Sequence, residues 1–211
     1  MKICIYGAGA VGSNFAVNLA RAGADVSLVA RGPHLDAIRA NGLTLHSGGE
    51  VLTARPRATD NPGELGPQDL VIVTLKAPSL PGIIDPVKSL LGEKTPVIFG
   101  MNGILWWYFY GLDPVGSERR IARLDPGDRW WNEIGPERVI GGVVYSANEV
   151  VAPGVVEHRS SGRSQLRIAE PTGQASARVA EINAVLEAAG MAAEVNDIRA
   201  TIWENLLANI S

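Results

Sequence analysis

Three glycines, Gly7, Gly9 and Gly12, stand in the stretch YGAGAVGSN with the spacing G-x-G-x-x-G. By itself that spacing is a weak signal. Its setting strengthens it: the apolar run KICIY at 2–6 leads in, Val11, Phe15 and Leu19 follow at helical spacing, and a second apolar run, VSLVA, occupies 26–30. Strand, turn, helix and strand in so short a span make a βαβ unit, the context in which the pattern binds a dinucleotide. Gly7 then permits the tight turn, Gly9 lets the backbone approach a pyrophosphate, and Gly12 allows the helix to pack closely on the strand. Gly7, Ala8, Gly9, Ala10, Val11 and Gly12 are the expected cradle, because a helix N-terminus offers phosphate its free N–H groups and positive dipole end.

The tip of the second strand reads VARGPH, placing Arg31 where an NAD-selective site would carry a carboxylate for the ribose 2′-OH. A guanidinium there attracts a 2′-phosphate through charge-assisted, bidentate hydrogen bonds, so NADP(H) is the expected cofactor. Lys76 closes the apolar run DLVIVTLK, at the strand end where ligands of open α/β sheets bind; a solvated strand end is the plainer alternative. Asn102, in FGMNG, occupies the same rim after the next strand, although Asn-Gly is first a turn signal. In the closing segment, Ile198, Ile202, Trp203, Leu206, Leu207 and Ile210 spread over one apolar half of a helix at about 100° per residue. Asn205 and Asn209, four apart, lie together at the edge of that stripe.

These residues need elements to hold them. HLDAIRANG suggests a short helix, LTLH and VLTARP a pair of strands, and DLVIVTLK and TPVIFG buried strands, with a helix within PSLPGIIDPVKSLL between them. From 139 to 169 short strands with turn signals suggest antiparallel pairing, and residues 175–189 form an amphipathic helix ending at Gly190. A short strand, AAEV, leads into the terminal helix. The expected fold class is α/β: a Rossmann-type NAD(P)-binding domain with a parallel sheet and added antiparallel strands.

Composition narrows the alternatives. A net charge of −3 gives no bulk attraction for nucleic acid or an anionic membrane. The longest aromatic run, ILWWYFY, is too short to span a bilayer. It and the pair Trp130–Trp131 read first as core packing, given the area each ring can bury. The single cysteine, Cys4, falls in the first apolar run and reads as an inert core thiol in a reducing, cytoplasmic compartment. His34, His46 and His158 have neither metal spacing nor a triad partner, so no metal is expected.

The segments KICIYGAGAVG, VARGPHLDAIRANGLTLHS, DLVIVTLKA, MNGI, GVVYSANEVVAPGVVEH and DIRATIWENLLANIS occur in that order. Together they resemble the ketopantoate reductase family (2-dehydropantoate 2-reductases) over essentially the whole sequence. The resemblance implies NADPH-dependent reduction of a small 2-keto acid, ketopantoate to pantoate, on the way to coenzyme A. It implies a Rossmann-type domain over 1–195, with 196–211 as the start of an all-helical domain, here truncated, and a site between the two. Gly7 to Gly12 match the cofactor loop and Arg31 the 2′-phosphate contact. Lys76 and Asn102 match residues lining the cofactor and the keto acid, and the turn SAN places Asn148, or its neighbour Ala147, at a further cofactor contact.

One position departs from the pattern. The family's terminal helix reads W-x-K-L-x-x-N, with the lysine as general acid and the asparagine holding substrate; here WENLLAN puts Asn205 at the lysine and Asn209 at the asparagine. An amide donates a hydrogen bond but does not surrender its proton, and general acid assistance is worth about 10²–10⁴-fold. Glu204 lies about 100° around the helix and would repel an alkoxide. Impaired reduction is therefore expected. The competing expectations are a non-catalytic NADP(H)-binding module whose terminal helix docks on a partner or a second copy, and a reductase of another carbonyl compound completed by a partner's residue.

Overall fold

Ile3 and Ile5 face one way from the first strand and Cys4 and Tyr6 the other, and all four are buried. A strand covered on both faces belongs in the middle of a sheet with layers above and below. In a computed structural model, which describes residues 1–112 and 119–209, it does. The chain begins β1 (Lys2–Tyr6), α1 (Ala10–Arg21), β2 (Asp25–Val29), α2 (Gly32–Asn41), and continues through β3 (Leu43–Ser47), β4 (Glu50–Ala54), β5 (Arg57–Thr59) and β6 (Leu70–Val73). After α3 (Ile84–Lys88) come β7 (Val97–Phe99), β8 (Val139–Tyr145), β9 (Asn148–Ala152), β10 (Val155–His158) and β11 (Gln165–Ala169). The last elements are α4 (Ala177–Ala188), β12 (Ala192–Glu194) and α5 (Ile198–Ala208).

The main sheet has the order β12-β11-β8-β7-β6-β1-β2-β5. All its pairings are parallel except β8 with β11. A smaller sheet, β4-β3-β10-β9, carries the other antiparallel pairs. The parallel sheet with added antiparallel strands is thus present, with three differences in detail. Within 139–169, β8 runs parallel to β7 and β10 parallel to β3, because each pairs with a strand distant in sequence as well as with a neighbour. The edge strand β5 carries too few residues to show a period. Finally, PSLPGIIDPVKSLL splits into a 3₁₀ turn over Ala77–Ile83 and the short α3, since Pro81 has no N–H to continue a ladder.

Two apolar layers enclose the main sheet. Phe15 and Leu19 of α1 and Ile182 and Leu186 of α4 join Ile3 and Ile5 on one face. Trp106, Trp107, Trp130 and the helix α5 residues Ile198 and Ile202 join Cys4 and Val71 on the other. The tryptophans pack as expected, with Phe99 edge-on to Trp106 and Trp130 at 5.8 and 5.2 Å. Cys4 is sealed in, and burial pushes its thiol up to about 12.

Helix α5 lies over β8 and β11. Its buried stripe is Ile198, Thr201, Ile202 and Asn205, whereas Trp203 and Leu207 are 48% and 66% exposed. The apolar half read from the sequence is therefore divided, with Ile198 and Ile202 buried and Trp203 and Leu207 in solvent; Ile210 lies outside the described residues. The helix is rotated by its first turn. Gly141 leaves room for Ile198, whose Cγ1 would be only 2.6 Å from a Cβ at residue 141. The Arg199 guanidinium donates to the carbonyls of Tyr108, Pro171 and Tyr110. The Asp197 carboxylate caps the helix, accepting from the Arg199 and Ala200 amides at 2.9 and 3.0 Å. Asp197→Ala is expected to cost about 1 kcal/mol and to lower the thermal midpoint by roughly 2–4 °C, with α5 amides exchanging faster than those of β1.

Candidate functional site

The glycine turn shows why its three positions differ. Gly7 has φ +114°, and a Cβ there would sit 2.7 Å from Leu75 Cδ2. A Cβ on Gly12 would lie 2.0 Å from the Gly7 carbonyl oxygen and 2.5 Å from Thr74 Oγ1. At Gly9, by contrast, a Cβ would meet nothing within 4 Å. Gly7 and Gly12 are therefore glycines for packing, and Gly9 for the open space above it. The Gly7 and Ala8 amides donate to Val29 O at 3.0 and 3.2 Å, and the Ser13 amide makes the first helical bond, to Gly9 O. The amides of Ala10, Val11 and Gly12 precede that first bond and lack helical partners.

A cleft of about 510 Å³ opens on this turn, lined by Gly7, Ala8, Gly9, Arg31, His34 and Asp60 among others. It is within the size range of cofactor pockets. Tyr6 also lines it; burial raises its phenol, and the Arg31 charge opposes that rise. Open space over Gly9, free amides at the start of α1 and a cation at the β2 end together fit a dinucleotide. Arg31 is exposed there, as the position expected to meet a 2′-phosphate requires.

Asp60 was not foreseen. It follows β5, whose Thr59 pairs with Val29, so it reaches the cleft beside Ala30 and Arg31. Its carboxylate meets Arg39 at 3.3 Å. His34 was also set aside in sequence, yet it ties the turn together. The Gly154 amide donates to His34 Nδ1 at 3.0 Å, so Nε2 carries the proton and faces Ser13 Oγ at 3.2 Å. Ser13 Oγ in turn donates to the Ala8 carbonyl at 3.0 Å. Burial lowers the affinity of His34 for a proton, which favours this neutral form.

The remaining expected residues, Lys76, Asn102, Asn148, Asn205 and Asn209, do not line that cleft. Lys76 lies beyond the strand, which ends at Val73, and begins the 3₁₀ turn as an exposed residue next to Leu75 of the cleft. Asn102 spans its neighbour strand: Nδ2 donates to Val144 O and Oδ1 accepts from Val144 N, both at 2.9 Å. One of its N–H bonds remains for a ligand. Asn148 accepts from Asn14 Nδ2 at 2.9 Å and donates to Ser146 Oγ at 2.7 Å, tying the rim to α1. The Ala147 amide and carbonyl are taken by Ser160 and Arg159. On α5, Asn209 Nδ2 donates to Asn205 O and Oδ1 at 2.9 and 3.1 Å, and Asn205 is buried. No hydrogen bond among the described residues joins these two asparagines to Asn102 or Lys76. Nor is there a cluster of potential metal ligands among the described residues.

The βαβ turn, its helix and the sheet define a Rossmann-type dinucleotide-binding domain. Residues 3–171 match the family described as Ketopantoate reductase PanE/ApbA, and the chain belongs to that family. It is 47% identical to the 2-dehydropantoate 2-reductase of Mesorhizobium japonicum over 213 residues, covering all of this chain and 65% of the relative. It is 31% identical to that of Pyrococcus horikoshii, covering 93% of this chain and 56% of the relative. A crystal structure from Ralstonia solanacearum MolK2, assigned to the ketopantoate reductases, superposes with a TM-score of 0.91 at 39% identity. That superposition covers 98% of this chain and 64% of the other. The chain thus spans between 56% and 65% of the length of these relatives.

The His34 linkage yields a test with a definite sign. A histidine whose proton affinity is lowered by folding stabilises the fold above the ordinary histidine range near 6.5 and loses that contribution as pH falls. His158, also lowered by burial, acts in the same direction. The thermal midpoint is expected to drop between pH 7.5 and 5.5, and His34→Gln to remove part of that drop. An identical drop in the variant would show that His34 does not contribute.

Proposed function

We propose that this chain binds NADPH and reduces a small 2-keto acid, ketopantoate to pantoate, with diminished rate. The observation that carries the reading is the cleft itself. It joins a side-chain-free turn at Gly9 to Arg31 at one end, and Asn102 stands on the adjacent rim. In this reading the amides of Ala10 to Gly12 hold the pyrophosphate and Arg31 holds the 2′-phosphate. Bound NADPH supplies the hydride. The free N–H of Asn102 and the amide of Asn209 orient the substrate, with Lys76 and Asn148 bordering the cofactor. Asn205 polarises the keto oxygen at most, because an amide keeps its proton at neutral pH.

That limit supports a second reading, a non-catalytic NADP(H)-binding module, favoured by the exposed Trp203 and Leu207 on α5. Turnover decides between them. NADPH oxidation accelerated by ketopantoate, and raised toward the 10²–10⁴-fold range of general acid assistance by Asn205→Lys, is the expected result. Cofactor binding without any ketopantoate-dependent oxidation in either form would establish the module instead.

Cofactor choice has its own test. Charge-assisted hydrogen bonds of ~1.5–3 kcal/mol correspond to roughly 10- to 150-fold in affinity. Arg31→Ala is expected to weaken NADPH by that order while leaving NADH nearly unchanged, and Asp60→Asn to tighten NADPH. Calorimetric titration of both nucleotides reads both effects; equal losses for the two nucleotides would remove Arg31 from 2′-phosphate recognition.

A further inference from the structure

Among the described residues Arg167 is a cation without an anion. It sits on β11, and its guanidinium lies 4.1 Å from the centre of the Tyr145 ring. Its Nε is buried and makes no hydrogen bond, and among the described residues no carboxylate pairs with the group. An unpaired guanidinium nitrogen withdrawn from water is costly. The ring contact restrains the guanidinium, and among the described residues its two terminal nitrogens make no hydrogen bond, so they remain available to a ligand.

Its position makes that arrangement useful. β11 is antiparallel to β8, so its first residues lie beside the last residues of β8, at the carboxyl edge of the sheet where ligands of such sheets bind. The register pairs Gln165 with Tyr145, Leu166 with Val144 and Arg167 with Val143. The guanidinium therefore leans two residues toward the rim from its own register partner. Across β8, Asn102 is fastened to Val144 at the same level. Strands flanking β8 on its two sides are about 10 Å apart, so the fork of Arg167 and the free N–H of Asn102 border one stretch of rim. Thr201 and Asn205, the buried polar residues of the helix that packs on this face, are uncharged.

We propose that Arg167 is the residue that binds the carboxylate of the 2-oxo acid, as a bidentate fork supported by Tyr145. A planar carboxylate matches a guanidinium in a way that the point charge of the exposed Lys76 does not. The inference rests on the reductase reading for the identity of the acid and on the rim geometry for the residue.

The test measures binding separately from turnover. Ketopantoate and its uncharged amide are titrated by calorimetry into the full chain saturated with NADP+, as wild type, Arg167→Met and Arg167→Lys. The expected result is tighter binding of the acid than of the amide. Arg167→Met should weaken the acid about tenfold or more and leave the amide unchanged, and Arg167→Lys should fall between because it keeps charge without the fork. NADPH affinity reports that each variant is folded, and Arg167→Lys serves if Arg167→Met is not. Unchanged affinity in the variants, equal weakening of acid and amide, or no binding of the acid by wild type would each overturn the assignment. Absence of ketopantoate-dependent NADPH oxidation in a wild type that discriminates acid from amide would overturn the reductase reading alone.

Discussion

No side chain fits between helix α1 and the turn that precedes it. A Cβ at Gly12 would lie 2.0 Å from the Gly7 carbonyl oxygen, well inside any real contact, and would strike Thr74 Oγ1 as well. That closeness brings Thr74 within 2.5 Å of the same carbonyl, where its hydroxyl donates a hydrogen bond that joins the end of β6 to the end of β1. The start of α1 is thereby held over the carboxyl edge of the sheet with its first amides unspent. Every other feature of the cleft is measured from this contact. Arg31 arrives from β2 and Asp60 from β5, strands fixed in register to β1 and to one another. His34 secures the opposite side by reaching the Ala8 carbonyl through Ser13.

The parts of this site that were legible in the sequence are those whose partners lie close by along the chain. Gly7, Gly9 and Gly12 act on each other within one turn, and Arg31 follows the very next strand, so spacing alone suggests them as candidates. Asp60, His34 and Arg167 were not legible because each acquires its surroundings from a distant segment. Asp60 depends on the pairing of Thr59 with Val29, His34 on the amide of Gly154, and Arg167 on the antiparallel pairing of β11 with β8. A histidine without metal spacing gives no local hint that a backbone amide 120 residues away has fixed its tautomer.

The terminal helix shows the same limit in a different form. Counting apolar residues groups Trp203 and Leu207 with Ile198 and Ile202 in one apolar half, because hydrophobicity is the only guide to orientation that the sequence offers. The helix instead buries Thr201 and Asn205, turned inward by two constraints that hydrophobicity does not encode. One is the absence of a Cβ at Gly141, which admits Ile198. The other is the Arg199 guanidinium, which satisfies three carbonyls that would otherwise end in the core. Tertiary contacts override a stripe of modest contrast.

That rotation bears on the chemistry proposed for the chain. Reducing a 2-oxo acid makes three electrostatic demands: phosphate charge on the cofactor, carboxylate charge on the substrate, and a proton for the oxygen that receives the electrons. In the proposed reading Arg31 and the α1 amides answer the first, and the Arg167 fork the second. For the third, the inward-facing residue of α5 is an amide already hydrogen-bonded to Asn209. A lysine in that buried position would carry a desolvation penalty, lowering its proton affinity toward neutrality and making it a competent acid. An asparagine there has no proton to lose, so in the proposed reading the same burial that would sharpen a lysine limits Asn205 to a hydrogen bond, and the reaction would be slow.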